Sequence, residues 1–396
     1  MATPSHRIDF VLLRRPALAA VVALALGMIL GPLGLRILQP ELVDDGAPIE
    51  SLSEIALLLC LFCAGLRLRV PLEWRHWRMP GRLATLTLGA TVAIAAAVAH
   101  LMFGMSLTES LLLGAIVAPT DSVLGSDAGP HPEGDHEGSA FVLAAEGGAN
   151  NGLATGLVML VLAMMGLSDS DSDALGTISL AALWAIGGGF LVGWLTGAAA
   201  ARCIMLFDPE RKTDFLEEGM VFATASLAYG AALLIHTDGF PAVFAAGVAL
   251  CHGGRLRRTL RNRPLMPRVL RIAARVERFA WLAIIVLLGS LVASVEFRAR
   301  MLVFALLLLL LIRPLAVRLG LGGLAVPEAQ WRSIAWFTPR GIGCLYCLSF
   351  AINHGLSAPF SRELAGITLV VIVSSLIASG ISGLPLRRAS PGTVDL

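Results

Sequence analysis

The stretch LTESLLLGAIVAPTDSVLGSD (residues 107–127) is apolar enough to enter a bilayer, yet it carries Pro119, Thr120 and Asp121 at its middle. Proline has no amide hydrogen and disfavours helix in the residue before it, so the segment is expected to unwind there. WRSIAWFTPRGIGCLYCLSFAI (331–352) repeats the device with the opposite charge, Pro339 standing before Arg340 and Gly341. Backbone unwound at membrane depth survives only where it is buried in protein or lines a cavity. Two interrupted helices in matching positions are also the mark of an inverted repeat. Asp121 can neutralise the N-terminal dipole ends of facing half-helices, and Arg340 the C-terminal ends. The plain alternative is two kinked helices, since proline is ordinary in membranes; an ionisable residue beside each proline argues against it.

A third stretch, VLAAEGGANNGLATGLVML (142–160), buries Glu146 with the amides Asn150 and Asn151. A charge at the bilayer centre costs about 2.5–3.5 kcal/mol, so such a residue is by default paired or lines an ion path. Glu146 and Asn150 lie four apart, on one helix face.

The surrounding chain has the same character. Of 396 residues, 56% are hydrophobic and only 15% charged, with mean hydropathy +0.78, values foreign to a water-soluble domain. Measured against the roughly 20 residues that span a bilayer, apolar runs place helices near 16–38, 52–66, 81–103, 107–126, 138–166, 176–206, 215–236, 239–253, 276–293, 300–320, 331–352 and 361–385. The fold class is an all-α polytopic membrane protein of about twelve helices. Its third to fifth and tenth to twelfth helices form two triplets of opposite orientation, an inverted repeat with discontinuous fourth and eleventh helices. Residues 16–38 read as the first helix, being too long for a signal-peptide core. No soluble regulatory domain is expected after the last one.

With the N-terminus inside, 24 of the 30 Lys and Arg residues fall in termini, loops and helix ends on the cytoplasmic side, against four outside, Arg36, Arg298, Arg300 and Arg362. That bias orients the chain with both termini cytoplasmic. The net charge of +2 makes no case for nucleic acid, because topology and anionic headgroups account for the basic loops.

In order and spacing, APTDSV (118–123), EGGANNGLA (146–154), HTDGFPAVFAAGVAL (236–250) and FTPRGIG (337–343) resemble the NhaP-like sodium/proton antiporter branch of the cation/proton antiporter superfamily. The resemblance extends from GMILGPLGL (27–35) to the last helix. It implies a core domain (81–166 and 300–385) with crossed broken helices. This core moves against a scaffold that dimerises (16–66 and 215–293), with 176–206 as the linking helix. It also implies a homodimer in a bacterial inner membrane, exchanging Na+ or K+ for protons with no cofactor. Thr120 and Asp121 match the unwound strand, Asn150 the amide beside the ion, and Glu146 and Arg340 a buried ion pair, which would cost about 3–5 kcal/mol to break from one side.

Two positions depart from the family pattern. Ser122 stands where proline is frequent. Asn151 stands where the family has the aspartate that alternately holds cation and proton. An amide offers a carbonyl oxygen but cannot take or release a proton at physiological pH. Asp121, Thr120, Ser122, Asn150 and Asn151 together could supply the oxygens of a cation site. Three readings stay open: an engineered loss of the carrier, a natural exchanger using Asp121 or Glu146, and an antiport-silent relative acting as a cation leak, a sensor or a structural partner. Moving one charge across 100 mV is worth about 2.3 kcal/mol, so a site that cannot protonate would carry net charge and respond to voltage.

Other features have plainer readings. Cys60 and Cys63, like Cys344 and Cys347, lie three apart in apolar helices, where cysteine behaves as a small hydrophobe rather than a zinc ligand. His131 and His136, in GPHPEGDHEG (129–138), sit in a loop joining two site helices and are either solvated or pH-sensing. Gly189, Gly193 and Gly197 suit close helix packing, with a dimer contact as the alternative. Arg313, before Pro314, has no partner identifiable from sequence. No nucleotide loop, zinc-protease helix or serine elbow suggests an enzyme.

Overall fold

The computed structural model describes residues 16–42, 44–68, 70–121, 138–167, 175–206, 214–260, 265–292, 295–336 and 339–386. All regular structure among them is helical: α1 (Pro16–Leu30), α2 (Gly46–Arg67), α3 (Trp74–Phe103), α4 (Leu107–Val117), α5 (Ser139–Met164), α6 (Leu175–Leu206), α7 (Asp214–Leu234), α8 (Gly239–Leu260), α9 (Leu265–Val292), α10 (Ala299–Gly320), α11 (Glu328–Trp336), α12 (Ile342–Asn353) and α13 (Ala358–Leu386). Six of these, α2, α3, α5, α6, α10 and α13, contain spans long and apolar enough to cross a bilayer. The protein is an all-α membrane protein.

Several ends differ from the hydropathy reading. α1 stops at Leu30 rather than near 38, because Gly31 and Pro32 end it and the chain turns back through Arg36, which has a positive φ of 55°. α9 begins at Leu265 rather than 276. Arg268, Arg271, Arg275 and Arg278 recur at helical spacing there; they lower the hydropathy without ending the helix.

Polar pairs fasten the helix ends. Arg300 at the start of α10 donates to Glu363 near the start of α13 at 2.6 Å, and Asn353 at the end of α12 donates to Glu50 near the start of α2. At the other end of α3 and α10, Arg82 donates to the Gly322 carbonyl at 2.7 Å. Both of these helices contain a single π turn, Leu83–Thr87 in α3 and Leu308–Ile312 in α10. Each lies close to a proline, Pro80 or Pro314, whose missing amide hydrogen leaves a gap in the helical ladder that a local change of winding accommodates. The two helices pack together at these turns, Gly320 against Thr87.

The glycine stripe of α6 faces α8 of the same chain. A Cβ at Gly193 would lie 1.9 Å from the Ala242 carbonyl oxygen, one at Gly197 2.4 Å from that of Ala246, and one at Gly189 2.5 Å from that of Asp238. These glycines therefore serve internal packing, letting the two backbones touch. Gly193→Ala is expected to lower stability by about 1–3 kcal/mol through overpacking. Gly187→Ala, with open space around its added methyl, should be neutral; thermal unfolding in detergent measures both.

Candidate ion site at the meeting of two helix breaks

α4 is started firmly and stopped early. Ser106 caps it in a reciprocal box with Glu109, a device that satisfies two otherwise unpaired amides. The helix ends at Val117, two residues before Pro119, and the chain continues without regular structure through Asp121. The second break lies between Trp336 and Ile342, around Pro339. The two breaks meet: the Asp121 amide donates to the Pro339 carbonyl at 2.8 Å, and the Cys344 thiol approaches the Pro119 carbonyl at 3.5 Å. Gly341 lies so close that a Cβ there would fall 2.4 Å from Asp121 Oδ2.

Arg340 holds this crossing together. Its Nε donates to the Val117 carbonyl at 2.6 Å, at the C-terminal end of α4, where a cation opposes the helix dipole. Its amide donates to Ser375 Oγ of α13 at 2.9 Å, and the serine hydroxyl also reaches the Arg340 carbonyl at 3.2 Å. Arg340 is fully buried.

The expected pairing of Glu146 with Arg340 is corrected by the structure. Arg313 Nη2 donates to Glu146 Oε1 at 2.6 Å, both side chains being buried. Arg340 is engaged on α4, while Arg313 follows directly on the π turn of α10, a distortion that helps aim it at α5. The residue without a visible partner in the sequence is thus the one that neutralises Glu146.

One turn further along α5, Asn150 Nδ2 donates to Thr120 Oγ1 at 2.9 Å. Asn151 Nδ2 donates to two carbonyls, Thr120 at 3.1 Å and Gly147 at 2.5 Å. Thr155 Oγ1 donates to the Asn151 carbonyl at 3.0 Å. With the amide nitrogens so engaged, Asn150 Oδ1 and Asn151 Oδ1 are both buried and without a hydrogen-bond partner. Asn151 Oδ1 points at Gly343, where a Cβ would sit 1.8 Å away. Asp121 Oδ2 accepts the Trp281 indole N–H from α9 at 2.9 Å.

Two amide oxygens, a threonine and a carboxylate therefore lie beside the crossing. Such oxygens can replace part of a hydration shell. Glu146 is already balanced by Arg313; Asp121 is the second carboxylate beside the crossing, and it accepts from the Trp281 indole.

A family model described as "Sodium/hydrogen exchanger, transmembrane" matches residues 11–388. The chain belongs to that family. It is similar to the K(+)/H(+) antiporter NhaP of Alkalimonas amylolytica, 26% identical over 384 residues that make up 93% of this chain and 62% of that protein. It is also similar to the K(+)/H(+) antiporter NhaP2 of Shewanella sp. (strain MR-4), 24% identical over 356 residues, 86% of this chain and 58% of that one. The chain thus spans about three fifths of the length of these relatives. The structure of the sodium proton antiporter MjNhaP1 from Methanocaldococcus jannaschii superposes with a TM-score of 0.75 at 22% identity, covering 94% of this chain and 92% of that one. A second structure of MjNhaP1, from electron microscopy, gives 0.73 at 21% identity over 99% and 100% of the two chains. These likenesses give this exchanger-family chain its fold.

Of the residues singled out from sequence, the structure brings Pro119, Thr120, Asp121, Asn150, Asn151, Pro339 and Arg340 together. Ser122, His131 and His136 lie outside the described residues. Arg313, Thr155, Ser375 and Trp281 were not assigned to the site; only Arg313, ionisable and next to a proline, carried a visible signal. Arg313→Leu is expected to cost about 3–5 kcal/mol by leaving Glu146 buried and uncompensated, while Glu146→Leu combined with Arg313→Leu regains most of that loss. A double-mutant cycle on thermal unfolding reads the coupling, and the same cycle between Glu146 and Arg340 should show a smaller one.

Proposed function

We propose that the chain is a carrier for a monovalent cation, Na+ or K+, exchanged against protons by alternating access, with the proton arm weakened by Asn151. The observation that carries this reading is the pair of buried, unpartnered amide oxygens, Asn150 Oδ1 and Asn151 Oδ1, beside Asp121 at the crossing. The names of the NhaP relatives support antiport, and their K(+)/H(+) designation keeps potassium beside sodium as a substrate.

The hydrogen bonds of Asn151 give the coupling defect a physical form. Its Nδ2 faces two carbonyl oxygens. A carboxylate oxygen in place of Nδ2 would face two acceptors, so in that rotamer an aspartate is favoured protonated, with one O–H to donate, over ionised. Asn151 thus imitates a permanently protonated carrier. The same observation favours a second reading, in which the chain does not antiport and serves as a cation leak, a sensor or a structural partner.

In this proposal 81–166 and 300–385 form the moving core, 16–66 and 215–293 the scaffold of a homodimer, and 176–206 the link. The position of α6 suits the last role, since it packs against α5 on one side and against α7 and α8 on the other. Both termini face the cytoplasm, and the membrane is the bacterial inner membrane.

The test is reconstitution of the chain beside its Asn151→Asp variant, following lumenal pH after a sodium or potassium pulse, with tracer cation uptake in parallel. The aspartate variant is expected to move protons and the parent little or none. Equal proton movement by both would place the proton on Asp121 or another carboxylate and overturn this account of Asn151. A parent that takes up tracer cation without moving protons supports the leak, and one that takes up none supports a sensor or structural partner.

A further inference from the structure

α9 is held by its neighbours α1 and α2, away from the helices that carry the breaks. Near its middle, however, one side chain crosses to the site. Trp281 is 2% exposed, and its Nε1 donates to Asp121 Oδ2 at 2.9 Å. One turn earlier on the same face, buried Glu277 pairs with Arg67 at the end of α2. α9 is therefore fixed to α2 by one polar contact and to the break by the next.

An indole nitrogen is a single donor and no acceptor, so it serves an ionised carboxylate well and cannot itself ligate a metal cation. Its N–H directs positive charge at Asp121 Oδ2, and a cation approaching that oxygen meets the same positive end. Gly341 closes on the same oxygen from the other break, leaving little room for both.

We propose that Trp281 is a gate on the ion site. Its indole N–H occupies Asp121 in the cation-free state, and a monovalent cation binds by displacing it, releasing the break from α9. Trp281 is thus a positioning residue, and the proposal rests on the reading of the breaks as a cation site. A purely structural role, a buried tryptophan finding the nearest acceptor, predicts that its replacement changes stability alone.

The experiment uses the full chain in detergent, titrated with sodium or potassium chloride against choline chloride, with the rise in unfolding temperature reporting binding. Parent, Trp281→Phe, Trp281→His and Asp121→Asn are compared. Trp281→Phe should bind about tenfold more tightly, the factor carried by a charge-assisted hydrogen bond at the low end of its range. Trp281→His, which keeps a ring N–H, should return toward the parent, and Asp121→Asn should lose the response. Equal half-saturation in parent and Trp281→Phe overturns the gate while leaving the cation site standing. A cation-specific response in none of the four chains overturns both. Because a shortened side chain in a packed core can prevent folding, the parent gives an independent reading. Its tryptophan emission should shift over the same cation range that stabilises it, and Asp121→Asn should abolish the shift. Unchanged parental emission across a stabilising titration overturns the gate.

Discussion

Backbone groups freed inside a bilayer have no water to turn to, and each one left unpaired costs several kcal/mol. Here the two breaks satisfy one another. The amide of Asp121 takes the carbonyl of Pro339, the guanidinium of Arg340 takes the open end of α4, and Ser375 takes both backbone groups of Arg340. The breaks are hydrogen-bonded to each other, and the amide of Asp121 is part of the joint. Asp121 is located by the hydrogen bonding of the main chain.

Two buried guanidiniums divide the remaining work. Arg340 serves backbone through its Nε and Arg313 serves Glu146, so the two buried positive charges have different tasks. Had Arg340 taken Glu146, the C-terminal end of α4 would have lost its donor and its counter-charge together. The π turn of α10 is part of this division, because it precedes Arg313 directly and changes which face of the helix the arginine leaves from.

Much of this was legible in the sequence for local reasons. A proline next to an ionisable residue announces a break, and the sequence Glu146 to Asn150 to Asn151 announces a polar face one turn long. What was not legible depends on contacts between distant segments. The choice of Arg313 over Arg340 spans 167 residues, and the serine that steadies Arg340 looks like any other serine in a membrane helix. Trp281 sits in an apolar run where tryptophan needs no explanation. The α6 glycines were readable as packing residues, but their partner α8 was not. The start of α9 was misplaced because an arginine face lowers hydropathy without breaking a helix.

The geometry around Asn151 links the family's chemistry to this chain's departure from it. Two carbonyls, Thr120 and Gly147, converge on a single side-chain donor. The resemblance implies an aspartate at this place, and such a residue can donate to one of these carbonyls only while protonated. Ionising it would turn a donor into an acceptor and repel the strand that carries Thr120 and Asp121, next to the oxygen held by Trp281. Proton loss and loosening of the first break are then one event, which is what coupling a proton to a cation requires. An amide keeps the donor permanently. In the proposed carrier it keeps the two carbonyl contacts, leaves Oδ1 to a cation, and removes the one change of charge that would tell the strand a proton has left.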